Sequence, residues 1–151
     1  MPEPIASRPA FTGHAETLPW AWAERRLAHA WNYWLATAAS GRGPYLRPIW
    51  ALWCDAGLLF TTSPASRKAR DFLVDPRVSV HAELEREVVV VDGTVTEASP
   101  TDAEADAYAA KYGSRPPESQ HWFVVRPHQA YVAIEESFPA GATLFDFAPV
   151  T

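Results

Sequence analysis

Between residues 61 and 70 the chain reads TTSPASRKAR, which brings Thr61, Thr62, Ser63, Ser66, Arg67 and Lys68 close together. Hydroxyls and cationic side chains are the donors that phosphate oxygens accept from. Ser63 is a good N-cap and Pro64 suits a first helical position, so the spacing predicts a helix over 64–74. A helix start also offers unpaired backbone N–H groups and a partial positive charge, so one set of residues can cap the helix and seat an anion. A capped basic surface helix that binds nothing accounts for the stretch equally well. Arg47 adds a second signal, because it stands in the otherwise apolar run YLRPIWALWC directly before Pro48. An arginine buried in such a strand needs a partner, and either a phosphate at the helix start or a carboxylate from another strand would serve.

Other chemistry has little support. The histidines are His14, His29, His81, His121 and His128, with no HExxH pair and no CxxC, so no metal site is expected. No GxSxG elbow is present. Asp102, Glu104 and Asp106 read as the solvated face of a helix, and no catalytic residue is identified. Cys54, the only cysteine, lies in WALWC and reads as buried and inert. The net charge of −5 argues against bulk nucleic-acid binding, although RKAR at 67–70 is a local basic patch. Nothing approaches a membrane-spanning apolar run and the first residues lack a signal-peptide core, so a soluble, cytoplasmic protein with no membrane partner is expected.

These residues need a scaffold. Residues 1–18 read as an extended or flexible N-terminal arm and 19–151 as a single domain. Trp20, Ala23, Leu27, Ala30 and Trp31 recur at helical spacing, which predicts a helix over 20–31 that turns them inward. Strands are expected at 33–39, 45–54 and 58–63, joined by short turns, with Pro48 marking an edge or a bulge. More follow at 78–83, 87–98, 121–126, 129–136 and 142–147, with Pro127 at a break. Thr101 and Glu104 form a capping-box pattern for a helix over 101–112. The sum is a mainly β, α+β protein: an antiparallel barrel with a few peripheral helices and no glycine-rich βαβ unit.

With these elements in order, the chain resembles the pyridoxamine 5′-phosphate oxidase-like split-barrel superfamily of flavin and deazaflavin oxidoreductases. The resemblance runs from about residue 30 to about residue 147. It is carried by YWLATAASGRGPYLRPIWALW, LLFTTSPASRKARDFLVDPRVSVHAE and EVVVVDGTV, in that order. It implies a six-stranded antiparallel split β-barrel of Greek-key topology, assembled as a homodimer with cofactor sites at the interface. It also implies that Arg47, Thr61, Thr62, Ser63, Ser66, Arg67 and Lys68 hold a cofactor phosphate. The cofactor ring would lie along Pro48, Ile49 and Trp50, and the partner subunit would close the pocket around 121–123. The chain departs from the family pattern at Asp71, where Asn is frequent, and at Phe72, where Leu is. Asp71 would either weaken phosphate binding or orient Arg67 and Lys68.

The resemblance implies an enzyme that uses FMN or the deazaflavin F420 to pass a hydride to or from a small organic substrate. Arg42, Arg70 and Arg77 would favour the oligoglutamate tail of F420. Trp50, Trp53 and Tyr45 are candidates to wall the ring or the substrate. The alternative is a non-catalytic flavin-, deazaflavin- or haem-binding carrier or sensor, which would retain the same phosphate residues.

Overall fold

The computed structural model describes residues 1–149, so Val150 and Thr151, the end of the expected 19–151 domain, lie outside the described residues. Chain order is β1 (Ala6–Pro9), α1 (Trp20–His29), β2 (Tyr33–Ala39), β3 (Gly43–Ile49), β4 (Ala51–Cys54), β5 (Gly57–Thr62), α2 (Arg67–Val74), β6 (Arg77–Ala82), β7 (Glu87–Glu97), α3 (Asp102–Tyr112), β8 (His121–Ile134) and β9 (Thr143–Asp146). All pairings between these strands are antiparallel, in the path β1-β9-β8-β7-β6-β2-β3, with β5 joining β8 to β4.

This is the split barrel. The run 43–54 was expected as one strand from residue 45, but it breaks at Trp50. Its first half pairs with β2 and its second half with β5. The chain itself, and not a hydrogen-bond ladder, therefore closes the circuit β3-β2-β6-β7-β8-β5-β4. Counting β3 and β4 as one broken run gives six barrel strands of Greek-key order. β8 is also longer than expected, because Pro127 does not end it. Gly93 lies opposite Pro127 and Asp92 opposite Gln129, so His128 is an extra residue, a bulge that lets the strand continue. One edge of β8 follows β7 from Phe123 to Ile134; the other serves β5 with residues 121–125 and β9 with residues 129–132. Two glycines permit the crossing. A Cβ on Gly57, whose φ is +131°, would come 2.0 Å from the Val125 carbonyl oxygen, and one on Gly93 2.3 Å from that of Arg126.

The core follows the alternation of the strands. Tyr33, Leu35, Val80, Val89, Val91, Val125 and Val132 point inward with Phe60 and Leu58. α1 buries Trp20, Trp22, Ala23 and Leu27 against them. Trp20 meets Trp53, Phe145 and Phe147 edge-on. Arg26 lies over the Trp22 ring and pairs with Glu87 at 2.7 Å, which fastens α1 to β7. Trp31 departs from the expected helical face. α1 ends at His29, Ala30 turns out of the helix with ψ of 141°, and the Trp31 indole is left exposed. α3 begins with the expected capping box, Thr101 and Glu104 each accepting from the other's backbone. No helix among the described residues is long and apolar enough to cross a membrane.

Candidate functional site

β3 ends, β5 ends and α2 begins at one place. A cleft of about 420 Å³ opens there, lined by Pro48, Ile49, Trp50, Thr61, Thr62 and Lys68 from the expected set. Asn32, Tyr108 and Gln120 complete the lining and were not anticipated. Asn32 and Gln120 lie just before β2 and β8, and Tyr108 lies within α3. Only Tyr108, one turn from Tyr112 on α3, carried a sequence signal. A larger concavity of about 570 Å³ lies over β7 and β8 beside Arg126 and His128. The smaller cleft is the better candidate, because its hydroxyls and its lysine stand where β3, β5 and α2 meet, with the Trp50 ring beside them.

The helix start is displaced from expectation. α2 begins at Arg67 with Ser66 as its N-cap, the Ser66 hydroxyl accepting from Ala69 N–H at 3.2 Å. Ser63 and Pro64 belong instead to a preceding turn, in which the Ser66 N–H donates to the Ser63 carbonyl and Ala65 N–H to the Ser63 hydroxyl. The later serine wins because its oxygen reaches the third helical N–H, the bond that defines a cap. Thr62 and Ser66 hydroxyls are 3.1 Å apart, and Thr61 donates to Gln120 Oε1 at 2.6 Å.

The cations divide into two groups. Asp71 is fully buried and accepts from Thr37 Oγ1 at 3.0 Å. Arg42 Nη2 lies 2.9 Å and Arg67 Nε 3.8 Å from its carboxylate. Arg67 also lies over the Tyr45 ring, and donates to the Arg42 carbonyl. Asp71 therefore orients the two arginines. Arg47 is on the edge strand and exposed, its guanidinium over Tyr45 and bonded to the carbonyl of Leu46, so it needs no buried carboxylate. Arg47 is therefore not the buried charge expected of it, because β3 pairs on one side only. Lys68 stands apart. It is half-buried, has no anionic partner among the described residues, and its pKa is lowered by burial and then by the charge of Arg47. Two cations near one another with hydroxyls alongside make a pocket rich in donors, a fit for a phosphate. Of the arginines proposed to hold a tail, Arg42 is engaged by Asp71 and Arg77 by Asp75, while Arg70 is exposed.

The other wall is aromatic. Trp50 stacks on Tyr112 at 4.6 Å between centroids and 4° between planes, and Tyr108 contacts Tyr112 and Trp122. Trp53 and Tyr45 take no part in this wall: Trp53 is buried and donates to Glu24, and Tyr45 lies under the arginines. Residues 121–123 run beside Thr62, Thr61 and Phe60 of the same chain. Phe123 is buried against Phe60 and Phe72, while His121 is exposed. Cys54 is buried, and burial pushes its thiol up.

Behind this wall, Lys111 of α3 donates to Tyr33 Oη at 2.9 Å and to the Ala51 carbonyl at 3.0 Å. Burial pulls its pKa from 10.5 down to about 8. Between these two values the unfolded chain keeps a proton that the folded protein has released. Stability therefore rises with pH through that window, and the burial cost of the charged amine is fully present below it. Burial also pushes Tyr33 upward and Tyr112 to about 12, so these facing groups titrate above the lysine. Urea unfolding at about pH 7, 8.5 and 10 should show wild type gaining on Lys111→Met as pH rises, with the tyrosine contributions cancelling in the difference. A pH-independent difference would mean that Lys111 is not desolvated.

Comparisons with known proteins point the same way. The family model described as pyridoxamine 5′-phosphate oxidase matches residues 24–133. A pyridoxine/pyridoxamine 5′-phosphate oxidase from Anaeromyxobacter dehalogenans (strain 2CP-C) is 43% identical over 89 residues, covering 57% of this chain and 42% of that relative. The match thus spans less than half of the relative's length. Among solved structures, an F420 reductase superposes with a TM-score of 0.60 at 24% identity, over 71% of this chain and 94% of that one. An FAD-binding protein from Mesorhizobium loti gives 0.62 at 22% identity, over 86% and 96%. These structures share the fold, while the family model covers most of the barrel from α1 through β8. The chain belongs to the pyridoxamine 5′-phosphate oxidase family.

Proposed function

We propose that the protein is an oxidoreductase that holds FMN or the deazaflavin F420 in the cleft between β3, β5 and α2. It acts as a homodimer on a small organic substrate. Once bound, either cofactor supplies hydride transfer to or from that substrate. The chain's own part is to bind, orient and exclude water. Lys68 and Arg47 hold the phosphate charge, with Thr61, Thr62, Ser63, Ser66 and Arg67 around it. Pro48, Ile49 and Trp50 flank the ring, and Trp50 on its Tyr112 support shields it from solvent.

Lys68 carries this reading. A half-buried ammonium beside a second cation, with no carboxylate to meet it, is unfavourable in the free protein and is relieved by an anion. The relative and the solved structures support a flavin-type ligand through the family and the fold. F420 takes a slight preference over FMN because residues 121–147, HWFVVRPHQAYVAIEESFPAGATLFDF, resemble the closing strands of the deazaflavin-binding branch.

The test is a fluorescence titration of ligand-free protein with FMN and with F420, beside sedimentation of each mixture. Micromolar binding of one, by a dimer, is the expected result and selects the cofactor for a substrate screen. Binding of neither would overturn the proposal. Binding without turnover of any donor or acceptor would leave a carrier.

A further inference from the structure

The concavity of about 570 Å³ over β7 and β8 has no part in the proposed function. Thr94, Thr96, Arg126, His128, Phe147 and Pro149 line it. Thr94 and Arg126 are direct cross-strand partners, so their side chains stand on one face of the sheet, and Thr96 follows two residues along. His128, the bulge residue, joins them through a hydrogen bond between its Nε2 and Thr94 Oγ1, 2.9 Å apart. The Phe147 N–H donates to the His128 carbonyl at 2.9 Å, which ties the bulge to the chain just beyond β9.

Arg126 is the group that the fold leaves unexplained. Most arginines of this chain meet a carboxylate, and Arg25, Arg47 and Arg70, which do not, are exposed. Arg126 is half-buried, yet among the described residues no carboxylate pairs with it. The acids nearest to the lining in sequence are already engaged: Asp92 with Ser79, Glu97 with His121, and Asp146 with Arg8 and Gln129. A guanidinium that has given up water without gaining an anion is relieved by a carboxylate bound in its fork.

We infer that this concavity is a second ligand site, for a small organic carboxylate with an apolar body. Arg126 takes the carboxylate by two parallel hydrogen bonds. The exposed Thr96 hydroxyl is a further donor, and so is that of Thr94 when the imidazole supplies the proton between them. Phe147, Pro149 and the threonine methyls form an apolar wall, and no acidic residue is among the lining. Inorganic phosphate would leave that wall unused, so a single anionic head on a carbon skeleton fits better. The volume suits a small molecule and one guanidinium marks one head, which favours that occupant over a second copy of the chain. The site is separate from the cofactor cleft. Trp122 faces Thr61 there, and Arg126 stands four residues further along β8, about 13 Å at the rise of a strand.

The probes are 2-naphthoate and 2-naphthamide, which share a shape and differ in charge. Calorimetric titration is run on wild type, Arg126→Gln, Arg126→Lys and Lys68→Ala, with melting and sedimentation measured on the same samples. Wild type should bind the acid at least tenfold more tightly than the amide. Arg126→Gln should weaken the acid by about tenfold or more and leave the amide unchanged, and Arg126→Lys should weaken it less. Melting should hold in both variants, because no carboxylate loses a partner. Equal binding of acid and amide, or an unchanged acid affinity in Arg126→Gln, would overturn the inference. Loss of acid binding in Lys68→Ala in place of Arg126→Gln would put the probe in the cofactor cleft and overturn it too. So would loss of a dimer in Arg126→Gln, which would give Arg126 to a second copy. None of these readings needs FMN or F420, so failure of either cofactor to bind bears on the proposed function alone.

Discussion

Lys68→Ala is expected to weaken binding of FMN or F420 by about 1.5–3 kcal/mol, roughly a 10- to 150-fold rise in Kd, when the two proteins are titrated by fluorescence. The size follows from where the amine lies. A fully solvated lysine contributes little to an anion site because water screens it, whereas Lys68 is half-buried and already desolvated. Its low pKa has two causes, burial and then Arg47, and a bound phosphate counteracts both. Cofactor affinity should therefore fall as pH rises past that lowered value, and fall less in Lys68→Arg. The same substitution should leave thermal stability unchanged or slightly raised, because no carboxylate loses its partner. Equal affinity of wild type and Lys68→Ala for both cofactors would place the phosphate elsewhere.

Much of the scaffold was legible because several elements carry their own local signals. β2 alternates buried and half-exposed residues along YWLATAA, and α3 states its start twice, through Thr101 and Glu104. The ordered series from Tyr33 to Val95 also carried the family. What was not legible depended on tertiary pairing. The break at Trp50 leaves no mark of its own in YLRPIWALWC, where Pro48 signals an edge but not a change of partner; it exists because β2 and β5 claim different halves of the run. The bulge that carries β8 through Pro127 is likewise set by Gly93 on the facing strand. Residues 6–9 have no apolar alternation, and they form a strand because β9 offers its free edge. At the site, six of the ten expected residues line one cleft, whereas Arg47, Ser63, Ser66 and Arg67 surround it or turn away. Asp71 could not be read from spacing alone. One turn beyond Arg67 it could face either Lys68 or the arginines, and only the fold of the 40–43 turn, which brings Arg42 to it, decides.

Asp71→Ala is expected to lower stability by about 2–4 kcal/mol in urea unfolding, because it removes a fully buried carboxylate from three partners. The lower part of that range applies if Arg42 and Arg67, which keep 36% and 38% of their side chains exposed, turn outward and recover water. Asp71→Asn keeps the volume and an acceptor for Thr37, and should cost only about 1–2 kcal/mol. The two variants separate the possible roles of the acid. If Asp71 spends its charge on the arginines, neutralising it leaves cofactor affinity the same or slightly tighter, since Arg67 gains freedom to turn to the phosphate. If it opposed the phosphate directly, Asp71→Asn would tighten binding by tenfold or more. Lys68 and Asp71 then form a paired test, three residues apart on one short helix. The lysine should govern ligand affinity with little effect on folding, and the aspartate should govern folding with little effect on affinity. Exchange of those two phenotypes would mean that the anion seat lies on the arginine side of α2, between Arg42 and Arg67, and not in the cleft beside Trp50.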